Sequence, residues 1–333
     1  MSKITKVIMM FCLIFAVVAC SFQAGPAFAA KTLKLQIAHE QPENHPYHYG
    51  AVQFANLLKE YSKGEIEGVV FPNGTMGKAS ALAESCAMGT MDFGAVFSII
   101  LEGYSPKFGV LTMPYTFRNW DHCFKVLDGP IGEELKASVE PKGIKVLAFW
   151  TNGLAEINSR MAIRTPADIK GKKLRIQEGP SYVALSKAMG SVTTPMSFGE
   201  VYSALQLGTV DAQVQTANNI FASKMFEVAP YFTQINMNFN TQPFIMSMKL
   251  WKSLTPEQQK IVLRAAKEAA VRERAYHVKD TQKALKGITA GGGKIIKLTD
   301  KEMKAWHDVC APVYKDPQFA EVMKIYNRIQ QVK

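Results

Sequence analysis

The chain repeats itself, and this repeat restricts the available folds more than any other feature. Lys34-Leu35-Gln36-Ile37 reads as a strand, and Lys173-Leu174-Arg175-Ile176 returns with the same pattern. A helix-type segment follows each, Tyr47 to Ser62 in the first copy and Tyr182 to Met189 in the second. Further on, Ala87-Met88-Gly89-Thr90-Met91-Asp92 matches Gln206-Leu207-Gly208-Thr209-Val210-Asp211. In both copies a helix closes on a Gly suited to its left-handed C-terminal position, and Thr-x-Asp then leads into an apolar strand. Ser197 and Glu200, ahead of the second Gly, have the spacing of a capping box. Each copy therefore reads β-α-β-α-β, an order that makes mainly parallel sheets covered by helices.

Two such sheets imply two α/β lobes facing each other across a cleft, since ligands of open α/β sheets bind beyond the carboxyl ends of the strands. Trp150-Thr151-Asn152-Gly153 reads as the first crossing between lobes, and the chain near Phe239 as the return; both are expected hinges. Thr165, with Pro166 after it, opens the second lobe and Gly171 closes its first turn before strand Lys173 to Gln177. Thr255-Pro256-Glu257 starts a helical stretch running to about Lys286. At 1.5 Å per residue it spans on the order of 50 Å, longer than one lobe needs. Ile261, Val262, Ala265, Ala266, Ala269 and Ala270 make its narrow apolar stripe. The chain ends with strand Lys294 to Leu298 and a helix capped by Thr299 with Glu302. The expected division is 31–152 plus 241–280 for lobe I and 153–240 plus 281–333 for lobe II.

The first thirty residues bear on the compartment. Lys3 and Lys6 precede an apolar run from Val7 to Ala19, and Ala27-Phe28-Ala29 has the small-x-small pattern of a signal-peptidase site. The run falls short of the about 20 residues that span a bilayer. Residues 1–30 thus read as a signal peptide, and the mature chain as periplasmic. Val17-Val18-Ala19-Cys20 also resembles a relaxed lipobox, which would leave Cys20 as a lipid anchor. Of five cysteines, Cys86, Cys123 and Cys310 remain after the leader, with no metal-type spacing; they read as buried apolar thiols, or as one disulfide whose pair the sequence does not choose.

With 47% apolar and 20% charged residues the chain is globular. The formal charge is +11, and the leader's Lys3 and Lys6 carry 2 of it, leaving +9. The basic residues are spread out, and those from Lys267 to Lys286 alternate with Glu268, Glu273 and Asp280. They read as solvated helix faces, not a nucleic-acid site. No nucleophile elbow, P-loop or dinucleotide fingerprint is present. His45 and His48, near Glu43, are the only metal-like spacing and lack further ligands. Gly291-Gly292-Gly293 precedes a strand, which is wrong for phosphate binding. Neither an enzyme nor a cofactor or metal protein is expected.

The segment Thr165-Pro-Ala-Asp-Ile-Lys-Gly-Lys-Lys-Leu-Arg-Ile176 resembles the region that marks solute-binding proteins of TRAP (tripartite ATP-independent periplasmic) transporters. Pro195-Met-Ser-Phe-Gly-Glu-Val-Tyr-Ser-Ala-Leu-Gln-Leu-Gly-Thr-Val-Asp-Ala-Gln213 resembles a second block of that family, as do Phe71-Pro-Asn-Gly, Gly89-Thr-Met-Asp and Met113-Pro-Tyr-Thr-Phe117. The blocks span the mature chain in order. The resemblance implies a two-lobed periplasmic-binding-protein-like fold, with two mainly parallel mixed sheets and a long helix spanning both lobes. It implies a monomer that captures an organic acid and delivers it to an integral-membrane permease. A binding protein of an ATP-driven importer would share the leader and lobes but not the block order.

The resemblance makes Arg175 the carboxylate anchor, and its planar fork matches a carboxylate's two oxygens. Gln215 stands where the family commonly has Asn, and Phe198 where it often stacks an aromatic on the ligand. Ala155 replaces a second Arg found in many members. Ala38 and Phe97 occupy positions that are polar in binders of highly polar ligands, with His39 adjacent. Glu178 is a polar exception, and Trp150 borders the first crossing. These residues point to a monocarboxylate with an apolar or aromatic body.

Overall fold

The computed structural model describes residues 32–333, so the leader and Cys20 lie outside the described residues. Eleven strands are described: β1 (Leu33–Ala38), β2 (Ile66–Phe71), β3 (Phe93–Ala95), β4 (Ile144–Leu154), β5 (Glu156–Ser159), β6 (Lys173–Ile176), β7 (Val192–Pro195), β8 (Ala212–Gln215), β9 (Tyr231–Gln234), β10 (Phe239–Ser247) and β11 (Lys294–Lys297). They form a five-stranded sheet in the order β2-β1-β3-β10-β4 and a six-stranded sheet in the order β11-β9-β5-β8-β6-β7. Helices flank both, as the repeat requires. Its two glycines close helices Ala79–Met88 and Val201–Leu207 at φ of 79° and 73°, a conformation open to Gly without steric cost.

Both sheets are mixed for one reason. Parallel pairs join β1 with β3, β6 with β7 and β8, and β9 with β11. The antiparallel partners are β10 in the first sheet and β5 in the second. These are the strands reached by crossing between sheets, β4 running into β5 and β9 into β10. The two crossings hold each other: Ala155 N–H donates to Asn238 O at 2.9 Å, and Met237 N–H donates to Ala155 O at 3.0 Å.

The spanning helix is Pro256–Ala290, 35 residues opened by a capping box between Thr255 and Gln258. Its buried Val262, Ala265, Ala266, Ala269 and Ala270 face helix Pro46–Tyr61 and β4, and its later turns pack on helix Ala217–Ala222 and β11. The alanine stripe allows this close approach along both sheets. Helix Asp300–Lys315 packs on helix Pro180–Ala188 beside the second sheet. The last helix, Ala320–Gln331, instead returns to the turn Pro106–Leu111 and buries Val322, Ile325 and Ile329 there. The segment 281–333, assigned to lobe II as a block, is therefore divided between the lobes.

One local expectation fails. Ser197 does not cap the following turn with its side chain. Its hydroxyl donates to the Glu200 carboxylate at 2.8 Å and accepts from Lys78 Nζ at 2.9 Å. A cation from the other lobe has taken the capping oxygen. Cys86, Cys123 and Cys310 are buried and free. Among the described residues, no helix is long and apolar enough to cross a membrane.

The first crossing contains a bulge. Asn240 pairs with Gly153 and Thr241 with Thr151, leaving Asn152 unopposed. Gly153 has φ +95°, and a Cβ there would meet His277 Nε2 at 3.2 Å and Thr216 Cβ at 3.4 Å. Gly153→Ala is expected to destabilise the fold by about 1–3 kcal/mol through backbone strain. Urea unfolding checks this, and an unchanged midpoint would mean that the crossing relaxes freely.

Candidate functional site

The strand ends of the two sheets meet at a narrow cleft. Arg175, Phe97, Phe198 and Glu178, four of the residues singled out from sequence, line it together. Glu40, Lys78 and Gln177 join them, and sequence reasoning had missed all three. Parallel β6 carries Arg175 to the carboxyl end of the second sheet. Phe97 follows β3 in the first sheet, and Phe198 follows β7 in the second. The aromatic walls thus come from opposite lobes.

Arg175 is buried, with 1% of its surface exposed. Its Nε and Nη2 donate to Met196 O at 3.1 and 2.8 Å, while Nη1 has no partner. Burial pulls the guanidinium down to about 10, against the opposing pull of Glu40, so it stays charged at neutral pH. Glu40 Oε2 accepts from Ala79 N at 2.9 Å, at the start of helix Ala79–Met88. Its Oε1 has no partner, and burial raises its carboxyl above the usual range. Gln177 Oε1 is likewise unpartnered. A donor and two acceptors therefore face one cleft with their hydrogen bonds unmade, at a cost of about 1–3 kcal/mol each if left dry.

The lobes are closed over this site. Lys78 Nζ bridges to Ser197 and to Glu200, the latter at 3.2 Å, and the pair is more than half exposed, so it contributes at most about 1 kcal/mol. Deeper, buried Glu102 accepts from Ser181 Oγ at 2.6 Å and from the Thr112 hydroxyl, linking the two lobes again. The cleft left between them is about 40 Å³, room for a few waters and too small for an organic acid, so a ligand enters when the lobes part.

The other expected residues do not line the cleft. His39 is buried at the end of β1, its Nε2 3.3 Å from His48 Nδ1. Burial and then His48 hold its ring down to about 3. Gln215 ends β8; its Oε1 accepts from Thr216 N at 2.9 Å and Asn219 Nδ2 at 2.6 Å, leaving Nε2 free. Trp150 stacks on Phe244 at 4.6 Å in the first core, and Ala155 is fully buried in the crossing. His45 caps helix Pro46–Tyr61, its Nδ1 accepting from Tyr47 N at 3.2 Å.

Known proteins match this architecture. The family model for bacterial extracellular solute-binding protein, family 7, covers residues 37–321. The 2,3-diketo-L-gulonate-binding periplasmic protein YiaO of Escherichia coli is 34% identical over 320 residues, 93% of this chain and 97% of that protein. A TRAP periplasmic solute-binding protein from Bradyrhizobium, solved with galacturonate, superposes with a TM-score of 0.85 at 30% identity, covering 89% of this chain and 99% of that one. One from Sulfurospirillum deleyianum, solved with succinate, gives 0.85 at 30% identity, covering 90% and 99%.

Buried ionisable groups around the cleft and crossings set the pH range of stability. Burial holds His39 and His277 down to about 3, from 6.5. It holds Glu156 and Glu273 up to about 8, from 4.5. Below 6.5 the unfolded histidines take up protons that the folded ones refuse, so stability falls with pH toward 3. Above 4.5 the unfolded carboxyls lose protons that the folded ones keep, so stability falls as pH rises toward 8. The opposing slopes cancel in between. Thermal unfolding should show a plateau between pH 4.5 and 6.5, and Glu273→Gln should flatten the alkaline limb.

Proposed function

The chain belongs to bacterial extracellular solute-binding protein family 7, the solute-binding proteins of TRAP transporters, and from that premise we propose that Arg175 anchors the carboxylate of a hydroxylated monocarboxylic acid. The protein binds small organic acids outside the cytoplasm and works with a membrane permease; the family is one of transport proteins and not of enzymes. Residues 1–30 serve as its export signal in this reading, and a single copy suffices, because one chain supplies both walls of the cleft.

The observation that carries the anchor is the unpartnered Nη1 of a buried guanidinium. A carboxylate arriving there supplies the missing acceptor and the missing charge. Glu40 Oε1 and Gln177 Oε1 revise the ligand's body. An acid with an apolar or aromatic body, the expectation from Phe97, Phe198 and Ala155, would leave both acceptors orphaned when the lobes close. Hydroxyls on the ligand would donate to them. Phe97 and Phe198 then pack against the C–H faces of the same molecule. The sugar acids named for YiaO and for the galacturonate-bound structure have this chemistry. Glu178 adds a polar edge to the same cleft, while Gln215 and His39 are buried behind it without lining it.

Calorimetry on protein refolded free of carried-over ligand should rank galacturonate or gluconate at least about tenfold above phenylacetate, the value of one retained hydrogen bond. The reverse order would sink the hydroxylated reading and leave the family untouched. Arg175→Ala should weaken binding by about 2–5 kcal/mol, roughly 30- to 4000-fold. Arg175→Lys recovers part of that, keeping the charge without the fork. Arg164→Ala, an exposed residue paired with Glu302, should stay within about threefold. Small-angle scattering should show compaction with ligand, because closure makes contacts to both lobes at once.

A further inference from the structure

A second cavity, of about 280 Å³, lies behind the first crossing. Gly153 forms part of its floor, Trp120, Phe232 and Leu285 give apolar walls, and Glu156 and His277 supply polar atoms. Arg175 is not among the residues that line it. It is large enough for a ligand of fragment size, whereas the closed cleft is not.

Its electrostatics are unlike the rest of the chain. The protein is strongly basic, yet no Lys or Arg lines this cavity. Glu156 is 2% exposed and has no cationic partner; its Oε2 accepts only the backbone N–H groups of Ile235 at 2.5 Å and Asn236 at 2.7 Å. His277 is also 2% exposed, and neither ring nitrogen has a hydrogen-bond partner. Its ring is neutral, so one nitrogen is an acceptor. Asp280, one turn along the spanning helix, already holds Asn218 Nδ2 at 2.9 Å and adds negative potential. Trp120 is half-buried at the rim, with one side of its indole stacked on Phe124.

An acid and an imidazole acceptor among aromatic faces, with no cation supplied by the protein, make the chemistry of an ammonium site. We infer that this cavity binds a small organic cation, an ammonium on an apolar or aromatic body. Burial keeps the Glu156 carboxyl protonated at neutral pH, so the ammonium displaces that proton as it pairs with the carboxylate, and the body lies against Trp120 and Phe232. A neutral analogue of the same shape gains the packing alone. An anion finds no Lys or Arg in the lining to pair with, which separates this site from the acid-binding cleft.

Benzylamine is the probe, titrated calorimetrically into the full mature protein, with benzyl alcohol as the uncharged control. Benzylamine should bind saturably at one site, and benzyl alcohol about tenfold or more weakly, for want of a charge partner. Glu156→Gln removes the acid while keeping an acceptor for the two backbone N–H groups, and should weaken benzylamine about tenfold. Gln282→Lys tests the same point without touching the interior, because Gln282 is an exposed residue on the cavity's edge. It places a cation at the mouth and should weaken benzylamine similarly. Arg175→Ala should leave benzylamine binding unchanged, so failure here and failure of the carboxylate anchor are read separately. No saturable binding by the wild type, equal binding of benzyl alcohol, or wild-type affinity in Gln282→Lys would overturn the inference.

Discussion

The Arg175 guanidinium is charged at neutral pH even after burial, and it buries that charge without a counter-ion. Arg175 spends two of its donors on the carbonyl of Met196 and holds Nη1 in reserve. Glu40 is near enough to be felt but makes no ion pair, being tied to the start of helix Ala79–Met88. Closing the lobes over such a group is unfavourable unless something anionic arrives with it. With Arg175 as the proposed anchor, the charge would tie two events together: capture of the acid and closure of the cleft. The surface bridge from Lys78 to Glu200 is too exposed to contribute more than about 1 kcal/mol to holding the lobes together.

The same logic explains the mixture of walls. Aromatic rings from both lobes exclude water from the cleft, which strengthens every polar contact inside it. Polar atoms left without partners then determine which molecules pay back their desolvation. Phe97 and Phe198 alone suggest an apolar ligand; with the unpartnered acceptors of Glu40 and Gln177 in the same cleft, the proposed ligand has an apolar face and a hydroxylated edge.

Much of this was legible from residues alone, for identifiable reasons. The repeat survives because a Gly at the left-handed end of a helix and an apolar strand after it are local requirements, met by Gly89 and Gly208. Arg175 and Phe198 were found because they sit in recognisable blocks, Phe97 because it follows a strand end, and Glu178 because it lies just past Arg175. Glu40, Lys78 and Gln177 were missed because their role exists only when two lobes face each other, a relation between residues more than a hundred positions apart. The Ser197 to Glu200 pattern misled for a related reason: its spacing is right for a cap, but Lys78 competes for the oxygen from another lobe. The last helix is amphipathic, and nothing in its own residues says which lobe its apolar face will meet.

The position of β10 in the first sheet has a consequence for how the molecule is made. Strands β3 and β4 do not pair with each other; β10 lies between them and bonds to both. All nine of its residues are buried, and all nine come after the last strand but one of the other sheet in the chain. As the chain emerges N-terminus first, β4 has no neighbour and β3 offers an open edge until Ser247 has appeared. The lobe that begins first is thus completed last, and a long unfinished interval with an unpaired strand edge invites mispairing. High sequence separation between β3 and its partner also slows the search. A chain of this topology has a long window in which it is still unfolded, and it is in that window that export across a membrane, and protection by a chaperone, can take place.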